Sequence, residues 1–327
     1  MPFSRMESLL QKPLVSRYRL KARGFMNAVS NRRELEGALI QIDGGFGCIH
    51  PWPELGDPPL EKCLADLAGA RRWPIVRRAI RCAEYDRAAR RFDHSLFEEM
   101  EVPDSHATLA KPDVAEVARA VETGFSTVKL KLGRDPAAEG KFLDDMAAEY
   151  PLMKWRLDFN ESLAPDAAAE FLMGLSEKTR AALDFVEDPC PYSESSWTAL
   201  HRQTRVKLAV DREAAPLSGA AQVMVVKPAI DEPFLLGEAA VRNGQRVVMT
   251  SYMDHPVGQA FAAWEAARLG LQLPGLVGLC GLQTHHLFEP DAFTEMLGPW
   301  LPVFQAPEGH GIGFDDLLDE LPWTRLY

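Results

Sequence analysis

The chain has 327 residues, 46% hydrophobic and 25% charged, which is material for one large barrel with additions or for about two domains. A formal net charge of -11 and a pI of about 5.3 argue against nucleic acid or an anionic membrane surface as the main partner, but leave room for a small anion held by local cations. The five cysteines (Cys48, Cys63, Cys82, Cys190, Cys280) lack CxxC spacing, the opening MPFSRMESLLQKPLV has no signal-like apolar core, and no run approaches the ~18 apolar residues of a spanning helix, so a cytoplasmic protein with free thiols is expected.

Taken in chain order, residues 1–104 read as one unit. GALIQIDGGFGCIH is β-like and ends in the Pro- and Gly-rich loop PWPELGDPP. The helical stretch PIVRRAIRCAEYDRAARRF is rich in arginine. Its acids Glu84 and Asp86, and the acidic chain around it, make it a solvated helix face rather than a nucleic-acid surface. From Ser105 short strands alternate with helices. PDVAEVARAVETG places Val114, Val117, Ala118 and Val121 on one helix face, with Pro112 near its start and Gly124 just past its end. STVKLK, KWRLDFN, LDFVED, KLAVD, VMVVK and RVVMTS follow as strands, separated by helical patterns such as PDAAAEFLMGL and GQAFAAWEAARLG. Such alternation predicts parallel strands with crossover helices, and seven or eight strands in about 180 residues predict a closed barrel. Only about ten residues separate KLAVD from VMVVK, too few for a full crossover helix; SGAAQ supplies one turn at most.

The charged residues fall at strand ends. TVKLK closes with Lys131, KWRLDFN with Asp158 and Asn160, LDFVED with Glu187 and Asp188, KLAVD with Asp211, and VMVVK with Lys227. In a parallel barrel all these ends meet at one mouth. Three carboxylates converging there would repel one another, and a hard divalent cation removes the problem. Oxygen-only ligands suit Mg²⁺, with Mn²⁺ as a substitute, better than zinc. Ion pairs capping the strands would explain any one of these residues. They explain poorly the order Lys, Asp, Glu, Asp, Lys on successive strands. Lys129 and Lys131 stand two apart, so an extended strand puts both on one side. Their mutual repulsion would lower the pKa of Lys131; Lys129 is open to a second role in binding a carboxylate.

With these motifs the chain resembles the enolase superfamily, and within it the muconate-lactonizing-enzyme subgroup. KLK resembles that subgroup's KxK, LDFN its DxN, VEDPCP its Glu-x-Pro, and LAVD and VVKP its fifth- and sixth-strand Asp and Lys, over about residues 105–290. The resemblance implies a modified TIM barrel, (β/α)₇β, at 105–290, an N-terminal α+β capping domain at 1–104, and a 291–327 segment returning to the cap. It implies that Asp158, Glu187 and Asp211 bind Mg²⁺, that the metal holds a substrate carboxylate, and that Lys131 removes the proton α to it. Lys227 would stand opposite, with Lys129, Asn160, Thr250 and Ser251 as substrate contacts. The tail APEGHGIGFDDLLDEL then reads as a structural turn, not a dinucleotide loop.

The subgroup includes racemases, dipeptide epimerases, muconate cycloisomerases and o-succinylbenzoate synthases. RLDFNES, VEDPCP and VVKPAI are most similar to the last, implying syn dehydration of a hydroxycyclohexadiene carboxylate in menaquinone synthesis. An N-acylamino acid racemase or dipeptide epimerase is the alternative, as is, from another class, a non-catalytic metal-stabilised barrel. Tyr252 and Met253 are bulky enough to reshape the pocket. Asp254 and His255 read as loop residues, and His285 and His286 are adjacent rather than four apart, so they do not form a helical metal pair. The stretch between Gly24 and Arg33 is expected to cover the mouth.

Overall fold

In the computed structural model, which describes residues 12–24, 26, 32–211 and 219–326, the chain begins with an antiparallel sheet. Its strands are β1 (Leu14–Lys21), β2 (Glu34–Ile42) and β3 (Gly45–Ile49). The stretch read as one β segment is a hairpin. Asp43 and Gly44 have φ of 50° and 83°, the left-handed pair that a two-residue turn between twisted strands needs. The helices α1 (Leu60–Ala68) and α2 (Pro74–Arg90) pack against this sheet. The approach is close: a Cβ at Gly47 would lie 2.2 Å from the Ala79 carbonyl oxygen of α2. Most of the expected cap loop, residues 25 and 27–31, lies outside the described residues.

Helix α2 keeps the expected solvated face at Arg77, Arg81, Glu84 and Arg87, but Arg78 and Asp86 turn inward from it. Arg78 is 3% exposed and reaches across to the barrel: its Nε donates to the Pro228 carbonyl at 2.9 Å, and its guanidinium pairs with Glu232 and with buried Glu265. Asp86 is fully buried and accepts from the backbone N–H of Phe46 at 2.8 Å and of Ile312 at 2.6 Å, while pairing with Arg90. Apart from Arg90, one turn on from Asp86, the partners lie far away in sequence, so a local charge pattern does not reveal the burial.

The second sheet holds seven parallel strands in chain order: β4 (Ala107–Leu109), β5 (Thr127–Lys131), β6 (Lys154–Asp158), β7 (Leu183–Glu187), β8 (Leu208–Val210), β9 (Val223–Val226) and β10 (Arg246–Met249). Between them run α3 (Val114–Glu122), α4 (Pro136–Glu149), α5 (Pro165–Gly174) with the short α6 (Glu177–Ala182), α7 (Glu194–Thr204) and α8 (Pro233–Asn243), and α9 (Pro256–Gln272) follows β10. Asp113, Asp135 and Ser193 cap α3, α4 and α7 by accepting first-turn N–H bonds. The short β8–β9 interval contains no helix among the described residues; 212–218 lie outside them.

The sheet closes on itself. The segment 277–281 bridges β10 at Val247 and Thr250 on one side and Ser105, just before β4, on the other, all in parallel sense. It is the barrel's eighth stave, and the fold is the modified barrel of the (β/α)₇β kind under an α+β cap. Alternation along the strands sorts the side chains. Val128, Leu130, Trp155, Leu157 and Val186 join the core shared with the helices. Phe185, Ala209, Val223, Val225 and Val248 form a separate apolar plug within the barrel.

Beyond the barrel come α10 (Ala292–Met296), α11 (Asp315–Asp319) and β11 (Thr324–Arg325), which pairs antiparallel with β1. The tail's Gly309, Gly311 and Gly313 have positive φ and turn the chain beside Asp86 and Asp315, as a structural turn requires. All five cysteines are free thiols, and among the described residues no helix is long and apolar enough to cross a membrane.

Candidate active site

Lys131, Asp158 and Glu187 end their strands, while Asp211 and Lys227 directly follow β8 and β9, so all five reach the carboxyl ends of five neighbouring strands. They line one cavity, together with Lys129, Asn160, Thr250 and Ser251. Leu55 of the cap loop, Tyr252 and Met253 also line it. Tyr252 is pinned outward, its hydroxyl donating to Asp57 at 2.9 Å and its carbonyl accepting from Trp52 Nε1 at 2.9 Å. The cavity is open to solvent at the barrel mouth and has about 40 Å³ of space, room for a few waters.

Lys129 does not simply face Lys131. Its ammonium lies 2.7 Å from both carboxylate oxygens of Glu187 and 3.0 Å from Asp158. Burial opposes its charge, but the two acids outweigh burial and hold its pKa above the ordinary lysine value. Asp158, equally buried, is held below the usual carboxylate range because Lys129 and Lys131 overcome the desolvation. Lys131 has no such partner among the described residues. Burial, then the charges of Lys129 and Lys227, bring it down to about 8 against the pull of Asp158. Desolvation is thus the main cause of the shift, with the neighbouring lysine contributing less than the spacing alone suggests. Lys227 is likewise lowered, chiefly by burial, and its ammonium bonds to Asp211.

The strand ends are shaped to present these groups. Asn160 and Asp188, each just beyond an acid, have φ of 46° and 42°, left-handed values that turn the chain off the strand. Asn160 Nδ2 donates to Asp158 Oδ1 at 2.6 Å, so its amide fixes the carboxylate. Asp188 accepts from the Asp211 N–H at 3.2 Å; burial, then Glu187 and Asp158, push its own carboxyl well up. Ser251 Oγ is bonded to Thr284 at 2.7 Å, whereas the hydroxyl of Thr250 has no partner.

His106 is a site residue that the sequence reading lacks. It lines the same cavity, and its Nδ1 lies 2.7 Å from the guanidinium of Arg156. A guanidinium only donates, so Nδ1 is bare and Nε2 carries the proton. Burial, then the charges of Arg156 and Lys129, keep the ring neutral. The signal was its position: directly before β4 and two residues before Thr108, in phase with that strand's inward side chain. Asp254 and His255 lie outside the cavity lining; they are buried loop residues at the start of α9.

The donors suit a hard cation in kind: buried carboxylates on neighbouring strands, Asp158 directly opposite Glu187 in register, and all facing one cavity. As placed, ammonium groups occupy them, and among the described residues no three acids or imidazoles close on one point. Asp158, Glu187 and Asp211 are the residues that would hold such a cation.

Comparison with known proteins places these features in a lineage. Residues 13–89 match the family described as O-succinylbenzoate synthase, N-terminal domain, and residues 113–229 match the enolase C-terminal domain-like family. An o-succinylbenzoate synthase of Bdellovibrio bacteriovorus is 31% identical over 95% of this chain and 97% of its own length. Among solved structures, a dipeptide epimerase from Enterococcus faecalis, complexed with Mg and a dipeptide, superposes with a TM-score of 0.79 at 16% identity, covering 93% of this chain and 99% of that one. An N-succinyl Arg/Lys racemase from Bacillus cereus gives 0.77 at 16% identity over 97% and 100%. At such identities the structures attest the fold alone.

Proposed function

Because the chain belongs to the enolase superfamily, we propose that it is a Mg²⁺-dependent enzyme that forms o-succinylbenzoate by dehydrating 2-succinyl-6-hydroxy-2,4-cyclohexadiene-1-carboxylate. The observation that carries this reading is the gathering of Lys131, Asp158, Glu187, Asp211 and Lys227 around one cavity, in a chain whose full-length relative bears that activity's name.

Asp158, Glu187 and Asp211 would hold the Mg²⁺, which when bound supplies positive charge against the second negative charge that develops on the substrate carboxylate. Lys131 is the base. With its pKa near 8, a useful fraction of the amine is neutral and can accept the proton α to the carboxylate. The resulting ammonium gives that proton to the departing β-hydroxyl. One C–H and one C–O bond break, water leaves, and the ring becomes aromatic. Lys227, which lines the same cavity, would steady negative charge on the substrate. The neutral Nε2–H of His106 donates a hydrogen bond to a substrate oxygen, and the unpartnered hydroxyl of Thr250 adds a second polar contact.

The test supplies the cyclohexadiene acid and follows the aromatic product with and without EDTA. Product formation that EDTA abolishes supports the reading. Failure to dehydrate, with Mg²⁺-dependent exchange of the α hydrogen for deuterium in N-acylamino acids or dipeptides, would assign the site to racemisation or epimerisation instead.

A further inference from the structure

A buried arginine joins the cap to the barrel. Arg78 of α2 is 3% exposed, and every arm of its guanidinium is engaged. Its Nε donates to the Pro228 carbonyl at 2.9 Å, one terminal nitrogen donates to Glu232 at 2.8 Å, and the other bonds to buried Glu265 of α9. The guanidinium also stands 5.3 Å from the centre of the Phe261 ring on the same helix.

A joint between two domains does not require such an arrangement. Apolar side chains would pack there without taking a guanidinium and a carboxylate out of water, a cost that their attraction roughly cancels. What an arginine adds is direction. Its planar fork fixes the groups it meets in angle as well as in distance.

The carbonyl it fixes belongs to the residue after Lys227. Lys227 directly follows β9 and opens a tight turn. Its carbonyl accepts from the N–H groups of Ile230 and Asp231 at 2.9 and 2.8 Å, and its own N–H donates to the Asp231 carboxylate at 2.7 Å. Glu232 follows as the N-cap residue of α8. Arg78 thus holds both ends of the turn, at Pro228 and at Glu232, and ties them to α9 through Glu265. The side chain that this turn aims, Lys227, lines the barrel-mouth cavity, whereas Arg78 lies outside that lining.

We propose that Arg78 is a positioning residue supplied by the cap: by gripping the turn from Lys227 to Glu232 against α9, it sets where the Lys227 ammonium stands at the barrel mouth. The role of that ammonium in turnover rests on the proposed function; its placement does not.

Arg78→Lys tests this. A lysine keeps a cation beside Glu265, which protects the fold, but its single ammonium cannot also reach the Pro228 carbonyl in the same geometry. Dehydration of the cyclohexadiene acid falls in kcat by about 10–10²-fold, the consequence of misplacing a group by about 1 Å, with KM changed less. In a Lys227→Met background the same substitution changes kcat by less than about twofold, because the group it positions is gone. Arg268→Ala removes the outer partner of Glu265, spares the Pro228 bond and leaves kcat unchanged. Where Arg78→Lys does not fold, Arg78→Met combined with Glu265→Met removes both buried charges together and is read in the same way.

Metal-free crystals of Arg78→Lys give a readout that needs no substrate: the Pro228 carbonyl turns and Lys227 Nζ leaves its contact with Asp211. Unchanged kcat in Arg78→Lys, an equal loss with and without Lys227, or crystals in which the turn and Lys227 Nζ keep their places would each overturn the proposal. A chain that does not dehydrate the acid at all overturns the proposed function instead, and the crystals then decide the placement of Lys227 by themselves, as they do where Lys227→Met has no measurable turnover.

Discussion

Lys129 and Glu187 form a buried ion pair in which one ammonium stands 2.7 Å from both carboxylate oxygens, at the place where the fold gathers its acids. On the proposed function, this ammonium and Mg²⁺ would share the same two acids. Without metal, Lys129→Met leaves Asp158 and Glu187 uncompensated and destabilises the fold by about 3–5 kcal/mol. Mg²⁺ restores much of this loss. Urea unfolding with EDTA and with excess Mg²⁺ measures both; an equal loss in the two conditions would show that metal and lysine do not share those acids.

As the proposed base, Lys131 is expected to set the pH dependence of turnover. Its amine is a base only when neutral, that is above its pKa, brought down to about 8 by burial and by its lysine neighbours. Bound Mg²⁺ adds positive charge and lowers it further. The pH profile of kcat/KM therefore rises along a limb at or below about 8 and then levels. Lys131→Ala lowers kcat by about 10²–10⁴-fold, the worth of a positioned acid or base. A profile that still climbs near pH 10, where an ordinary lysine titrates, would remove Lys131 from the role.

His106 tests the floor of the cavity. A Cβ on Gly281 would lie 2.5 Å from His106 Cε1 and 2.6 Å from Nε2, so the glycine leaves space for the ring. His106→Phe removes the donor, and Gly281→Ala displaces it while keeping the histidine. Both raise KM by about tenfold, the worth of one hydrogen bond to a charged oxygen, and leave the pH limb of Lys131 in place. An unchanged KM in both variants would make the ring a packing residue only.

Asp254 governs stability rather than chemistry. It is 1% exposed, one of its oxygens has no partner, and burial pushes its carboxyl up to about 7. The folded chain keeps this proton up to about pH 7, while the unfolded chain releases it near pH 4. Between those values the folded state binds more protons, so stability falls as pH rises, by up to roughly 1.4 kcal/mol per pH unit. Asp254→Asn abolishes that part of the slope. Urea titrations across the window compare the two proteins; parallel slopes would mean that Asp254 ionises normally in the fold.

The catalytic strands were legible because each joins a period-two apolar core to a charge at its carboxyl end, a pattern that survives in one dimension. Other parts were not. β1, LVSRYRLK, mixes exposed cations with buried Val15, Ser16 and Leu20 and shows no clean alternation. The Asp43–Gly44 turn, by contrast, is written in the sequence, since Asp-Gly between two apolar runs is a hairpin signal that splits GALIQIDGGFGCIH in two. The eighth stave, VGLCG, is glycine-rich and makes only isolated bridges. The burial of Arg78 and Asp86 depends on Pro228, Glu265 and Ile312, which only the folded chain brings near. His106 is a lone histidine whose meaning comes from the arginine across the barrel.

The account turns on the acids at the mouth giving up two ammonium groups for one divalent ion. Crystals soaked in Mn²⁺ and measured at an anomalous wavelength test this directly. The predicted result is a single strong peak bounded by oxygens of Asp158, Glu187 and Asp211, with the amine of Lys131 facing the same space and the Lys227–Asp211 contact broken. Saturating Mn²⁺ that leaves no peak there, with Lys129 still astride Glu187 and Asp158, would contradict it.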